Sequence, residues 1–130
     1  MLLVDDEPNV LRCYQRQLRK AFAIETATDG PTALSMLRDR GPFAAVVSDL
    51  RMPGMDGIEL LFRVKEIAPR TVRILLSGNA DEDSIRDAHD LADIFCFLAK
   101  PCSSDELSLA LGRALERYRR DEEAATRAAG

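Results

Sequence analysis

Short apolar runs alternate with longer segments of helical periodicity along this chain. Leu2-Leu3-Val4 opens it. After Pro8, a favourable first helical residue, Val10, Leu11, Tyr14 and Leu18 recur at helical spacing. Ala23 to Ala27 alternates as a strand does. Asp29-Gly30-Pro31 predicts a turn and a helix entry. Ala33, Leu34 and Leu37 stripe that second helix, and Gly41-Pro42 stops it. Phe43 to Val47 is continuously apolar, as in a central strand covered on both faces. Gly57 opens a third helix with Ile58, Leu61 and Phe62 at helical spacing, Val64 and Ile67 beside them, and Pro69 just past its end. Val72 to Leu76 reads as a mostly apolar fourth strand. Asp81 to Leu91 is polar and weakly amphipathic, which predicts a thin or mobile helix. Ile94 to Ala99 is the fifth strand. Leu107, Ala110, Leu111, Ala114, Leu115 and Tyr118 line one side of the last helix, and Ser103 with Glu106 fits a capping box at its start.

Strict βα alternation predicts an α/β fold with a parallel sheet and right-handed crossovers. The apolar stripe fades after Tyr118. Glu116 to Gly130 carries Glu/Arg pairs such as Glu116–Arg120, then an Ala-rich end. The chain therefore divides into one domain over 1–118 and a helical extension, linker or tail over 119–130. The first strand starts almost at Met1, which suggests a trimmed chain.

The bulk numbers narrow the function classes. At 130 residues the chain has the length of one domain, and 46% hydrophobic with 31% charged residues suits a globular one. Net charge is −4, with no Lys/Arg cluster, which argues against direct nucleic-acid binding. No apolar run approaches the roughly 20 residues that span a bilayer, and Met1-Leu2-Leu3-Val4, which at once turns acidic, does not read as a signal peptide. Cys13, Cys96 and Cys102 lack zinc-type spacing, and a reducing cytoplasm is the simplest setting for them.

Candidate chemistry gathers at the strand ends. Asp5-Asp6 closes the first run, Asp49-Leu50-Arg51-Met52-Pro53-Gly54-Met55-Asp56-Gly57 follows the third, and Lys100-Pro101 follows the fifth. In a parallel sheet with helical crossovers, strand C-termini line one edge, where ligands bind. Three carboxylates and one ammonium at that edge fit Mg2+-assisted phosphoryl transfer onto an aspartate. Lys100 can pair with the carboxylate or the acyl phosphate, and Ser77 can donate to a phosphoryl oxygen. Taken singly, each residue has a plainer use: Asp5-Asp6 as a helix cap, Asp49 and Ser77 in turns, Phe97 in the core. Met52 and Met55 read as loop packing, and His89 as a solvated helix residue.

In these motifs and their order, the chain resembles the receiver domain of bacterial two-component response regulators over about residues 1–118. The resemblance implies a doubly wound five-stranded parallel sheet in the flavodoxin-like order 2-1-3-4-5. It implies that Asp49 accepts the phosphoryl group. Asp6 would ligate Mg2+ directly, Asp5 mainly through water, and Arg51 through its backbone carbonyl. Lys100 would be the active-site lysine, Ser77 the hydroxyl switch residue, and Phe97 the rotating aromatic. The phosphodonor would be a sensor histidine kinase or a phosphotransfer protein. The reactions expected are the domain's own aspartyl phosphorylation and dephosphorylation, not conventional enzymatic turnover.

Phosphorylation is expected to draw Ser77 toward the phosphoryl oxygens, to turn Phe97 inward, and to repack the face of the fourth helix, fifth strand and fifth helix. Phe95, two residues from Phe97, is expected on the same face, either contacting a dimer partner or effector or packing under the fourth helix. The Arg51 side chain either shields the phosphoryl group or points into solvent. Two other readings stand beside this one: a pseudo-receiver interaction scaffold, and a Mg2+-dependent phosphohydrolase with an aspartate nucleophile. The second wants an acidic residue two after the nucleophile, where Arg51 stands. No effector domain follows in this sequence, so the chain reads as a single-domain regulator or a receiver apart from its output. Leu76-Ser77-Gly78-Asn79-Ala80-Asp81 with Phe97-Leu98-Ala99-Lys100-Pro101-Cys102 is similar to receivers attached to HD-type phosphohydrolases of cyclic di-GMP.

Overall fold

The computed structural model describes residues 1–129. Five strands and five helices alternate: β1 (Leu2–Val4), α1 (Pro8–Leu18), β2 (Glu25–Ala27), α2 (Gly30–Arg40), β3 (Ala45–Asp49), α3 (Gly57–Ile67), β4 (Val72–Ser77), α4 (Glu82–Ala92), β5 (Cys96–Ala99) and α5 (Ser104–Ala129). All strand pairings are parallel, in the order β2-β1-β3-β4-β5. This is the doubly wound order expected from the resemblance.

The pleat sends alternate residues to two cores. Leu2, Val4, Val46 and Leu75 pack with Ala33, Leu34, Leu61 and Ala88 on the α2–α3–α4 side. Leu3, Val47, Ile74 and Leu76 pack with Leu11, Leu18, Leu107 and Leu111 on the α1–α5 side. Asp29, Asp56 and Asp81 cap α2, α3 and α4 by accepting backbone N–H bonds from Thr32, Glu59 and Ser84. Half of the expected capping box forms: Ser103 Oγ accepts from the Glu106 N–H at 3.1 Å, while Glu106 Oε1 accepts from the Ser103 hydroxyl at 3.2 Å rather than from its backbone N–H.

Several expectations need correction. β3 begins at Ala45, not Phe43, and runs on through Ser48 and Asp49, which pair with Val4 and Leu76. Asp49 is thus the last strand residue, not a turn residue after the strand. α4 is a regular helix whose inner face is made by Ala88 and Ala92, both fully buried. Alanines contribute little to an apolar pattern, so its amphipathicity was understated. The last helix continues to Ala129, and residue 130 of the expected tail lies outside the described residues. Its outer part is tied by Arg117–Asp121 at 3.0 Å and Arg70–Glu122 at 2.9 Å, not by the expected Glu116–Arg120 pair.

Phe95 and Phe97 do not share a face. Phe97 packs on the α2–α3–α4 side and Phe95 on the α1–α5 side. Phe95 precedes the regular part of β5, so the two-residue alternation does not reach it. Its N–H is held by the Arg73 carbonyl at 2.6 Å.

Arg73 is a buried cation in a strand that reads as mostly apolar. Its guanidinium donates to the carbonyls of Ala92, Pro69, Thr71 and Asp93 at 2.8–3.2 Å. Two of those carbonyls end α4, where orphan acceptors and the helix dipole both favour a cation. Burial pulls the Arg73 pKa below the ordinary arginine value, with Asp93 opposing that shift.

Candidate functional site

Four strand ends build the site. β3 sits between β1 and β4, so Asp49 lies beside Asp5 and Asp6 on one flank and Ser77 on the other. β5 adds Lys100 one strand further out. The Lys100 N–H bonds the Ser77 carbonyl at 3.0 Å, which fixes the lysine's starting point next to the serine. From there its side chain crosses β4. Nζ lies 3.3 Å from Asp49 Oδ1 and 3.3 Å from Asp5 Oδ2.

Asp5 and Asp49 are buried and Asp6 is exposed. One carboxylate oxygen from each of the three falls within 4.8 Å of the others. Hard anionic oxygens at this spacing suit a small hard dication such as Mg2+. Both oxygens of Asp5 are engaged, one by Lys100 and the other by the Glu7 N–H at 2.9 Å. Asp6 faces solvent.

Burial pushes the Asp49 carboxyl above the ordinary carboxylate range. Lys100 opposes the rise, while Asp5 and Asp6 add to it. Burial also works against the charge on Lys100, but Asp5 and Asp49 outweigh it and hold its pKa above the ordinary lysine value. The site is an anionic cluster with one bound-in cation, poised to take additional positive charge.

The loop after Asp49 is held by close contacts. Leu50 and Met52 are buried, and Met55 packs against the same core, as expected of loop-packing residues. The Gly57 N–H returns to the Leu50 carbonyl at 2.9 Å. A Cβ on Gly57 would lie 2.3 Å from the Asp49 carbonyl oxygen, so only glycine allows α3 to start this close to the site. Arg51 is exposed. Ser77 is buried, and its Oγ accepts the Asn79 N–H at 3.3 Å. Phe97 is half-buried, and His89 is exposed on α4.

Two supports went unread in the sequence. The Tyr14 hydroxyl donates to the Cys102 carbonyl at 2.8 Å, bracing the chain just after Lys100-Pro101, a cis peptide. Tyr14 registers only as one member of an apolar stripe. Gly57 registers as a helix start, and its contact with Asp49 appears only once the strand and helix are docked.

Among the described residues no helix is long and apolar enough to cross a membrane. The profile of the response regulator receiver domain matches residues 1–112. The chain is 34% identical over 116 residues to the hydrogenase transcriptional regulatory protein HoxA of Cupriavidus necator, covering 89% of this chain and 24% of that protein. It is 37% identical over 121 residues to the regulatory protein AtoC of Escherichia coli, covering 89% of this chain and 25% of that protein. The chain thus spans about a quarter of the length of these curated relatives. The signal receiver domain of an HD domain-containing protein from Pseudomonas fluorescens Pf-5 superposes with a TM-score of 0.86 at 37% identity, covering 92% of this chain and 95% of that one. Strand order, strand-end carboxylates and a family match over most of the length agree: the chain belongs to the response regulator receiver domains of two-component signalling, a family of signalling domains rather than conventional enzymes.

Proposed function

We propose that this domain accepts a phosphoryl group on Asp49 from a sensor histidine kinase or a phosphotransfer protein. One observation carries the proposal: Asp5, Asp6 and Asp49 converge within 4.8 Å, with Lys100 3.3 Å from both Asp49 and Asp5. An Asp49 oxygen attacks phosphorus, and the bond to the donor's leaving group breaks with its electron pair. Asp6, Asp49 and the Arg51 carbonyl would hold Mg2+ directly and Asp5 would hold it through water, and the ion would supply positive charge against the phosphoryl group. The exposure of Asp6 and the full engagement of Asp5 support that division. Lys100 holds Asp49 in position and can follow the new charge. Ser77 donates to a phosphoryl oxygen once its hydroxyl leaves the Asn79 contact.

The output is a rearrangement of the α4–β5–α5 face, carried from Ser77 to Phe97. Phe97 is half-buried against the core that includes Ala88 of α4, so its rotation and the seating of α4 are coupled. We assign residues 1–118 to the receiver and 119–130 to an extension that is helical through Ala129. That face would serve a phosphorylation-dependent homodimer or an effector domain reached through the extension. The relatives' greater length supports an effector, and a reducing cytoplasm suits the free thiols.

The test is exposure of wild type and Asp49→Asn to acetyl phosphate with and without Mg2+, followed by intact mass. The expected result is one added phosphoryl group on wild type, dependent on Mg2+, and none on the variant. Equal uptake by the variant would overturn the assignment. Absence of uptake by wild type from acetyl phosphate and from a phosphorylated histidine kinase would favour the scaffold reading, to which no observation points now.

A further inference from the structure

A groove of about 360 Å³ runs between α3 and α4, lined by Asp56, Ile58, Glu59, Phe62, Asp87 and Leu91. Its floor is apolar and open to water: Phe62 is 38% exposed and Leu91 51% exposed. Ile58 and Phe62 stand one helical turn apart on α3, with Leu91 opposite on α4. Its rim is acidic. Residues 81–93 carry six acidic side chains against Arg86 alone, whereas the whole chain has a net charge of −4. The segment spanning α4 and its two capping residues therefore holds much of the protein's negative charge, with Asp93 at its far end facing Arg73. Glu59 pairs with Arg63 and Asp83 with Arg86. Asp87 has no ion-pair partner among the described residues. At one end the groove opens into a wider recess that shares Asp56, Ile58 and Asp87 and is walled by Arg51, Met52 and Pro53, the loop directly after Asp49.

We propose that this groove docks an amphipathic helix of a partner protein, with its apolar stripe on Ile58, Phe62 and Leu91 and flanking Lys or Arg side chains against Asp87 and the acidic face of α4. Helical stripes at i, i+4 and i+7 match an apolar groove between two helices. The charge selects the partner. Acidic rims attract cationic flanks, speed their encounter, and reject acidic helices and anionic lipid surfaces. The site differs from the α4–β5–α5 face, because two of the three apolar residues of its floor, Ile58 and Phe62, belong to α3. It also does not require phosphorylation, so it stands or falls separately from the chemistry at Asp49.

The probe is a helix-stabilised synthetic peptide with leucines at i, i+4 and i+7 flanked by lysines. A second peptide keeps the leucines and exchanges the lysines for glutamates. Binding is followed by fluorescence anisotropy and by amide chemical-shift mapping on the unphosphorylated protein. The variants are Leu91→Gln, Phe62→Gln, Asp87→Lys and, as a control, Leu109→Gln on α5, whose leucine is 58% exposed. Circular dichroism confirms the fold of each. The lysine peptide should shift amides on α3 and α4. Leu91→Gln and Phe62→Gln should each weaken it about tenfold, as expected for the loss of an anchor side chain. Asp87→Lys should weaken it too, and Leu109→Gln should not. The glutamate peptide should bind least. Failure of the lysine peptide to bind, shifts located elsewhere, or unchanged affinity in both apolar variants would overturn the proposal. So would sedimentation showing a dimer of wild type that Leu91→Gln dissociates, because the occupant would then be a second copy.

Discussion

Asp49 is held in a setting that opposes its own charge, and that has a measurable consequence. Its folded pKa lies above the ordinary carboxylate value, with burial the first cause. Where the folded state binds the proton more tightly than the unfolded state, stability falls as pH rises. The loss begins near the unfolded carboxylate pKa and is complete above the raised folded one. In divalent-free buffer at neutral pH, Asp49→Asn should therefore be more stable than wild type, and the gap should close as the pH falls below the ordinary carboxylate range. Added Mg2+ should narrow or reverse the order, because it stabilises only a folded state that binds it. Chemical denaturation across pH, with and without Mg2+, measures both effects. The Asp pair offers a second test at this scale. Asp6→Asn should weaken Mg2+ binding more than Asp5→Asn, since Asp5 already holds Lys100 and the Glu7 N–H. Titration monitored by a spectroscopic signal at the site would show the reverse order if the two roles are exchanged.

Arg73 joins three elements through one side chain. It ties β4 to the loop before it and to the carbonyls that end α4. Arg73→Ala leaves those acceptors buried and unpaired, which should cost about 2–4 kcal/mol. Arg73→Lys should recover only part of this, because one ammonium cannot fork across four carbonyls. Equilibrium unfolding gives the size, and faster hydrogen exchange at Ala92 and Asp93 gives the location. Gly57 acts at the junction of β3 and α3. Gly57→Ala must push a Cβ away from the Asp49 carbonyl, 2.3 Å distant. Overpacking of this kind costs about 1–3 kcal/mol, and the variant should also take up phosphate more slowly. Most elements were legible because their apolar periods are clear. α4 was understated because alanines form its buried face. Phe95 was placed on the wrong side because the pleat is irregular before β5. Arg73 escaped notice because its partners are carbonyls of the loop before β4 and of the end of α4, a pairing with no signature in sequence.

At the scale of the molecule, the sheet order converts three separated motifs into one site. Asp5-Asp6, Asp49 and Lys100 are far apart in sequence, yet β1, β3 and β5 bring their ends to one edge. This convergence was legible, since strand ends in a βα alternation share an edge whatever the exact strand bounds. The reach of α5 to Ala129 was left open among helix, linker and tail, because its outer turns lack an apolar stripe and are held by ion pairs such as Arg70–Glu122. The proposed switch crosses the molecule from Ser77 to Phe97. Beryllofluoride should change hydrogen exchange over 81–111 in wild type and change it less in Ser77→Ala, which should still accept phosphate. An equal response in the two proteins would remove Ser77 from the route. The most direct measurement of the central claim is reductive trapping. An aspartyl phosphate reduced with borohydride becomes homoserine, which peptide mass spectrometry can place. After acetyl phosphate and Mg2+, homoserine should appear at position 49 and at no other aspartate. Homoserine at Asp5, Asp6 or Asp56, or a phosphorylated protein with an unchanged Asp49, would contradict the account.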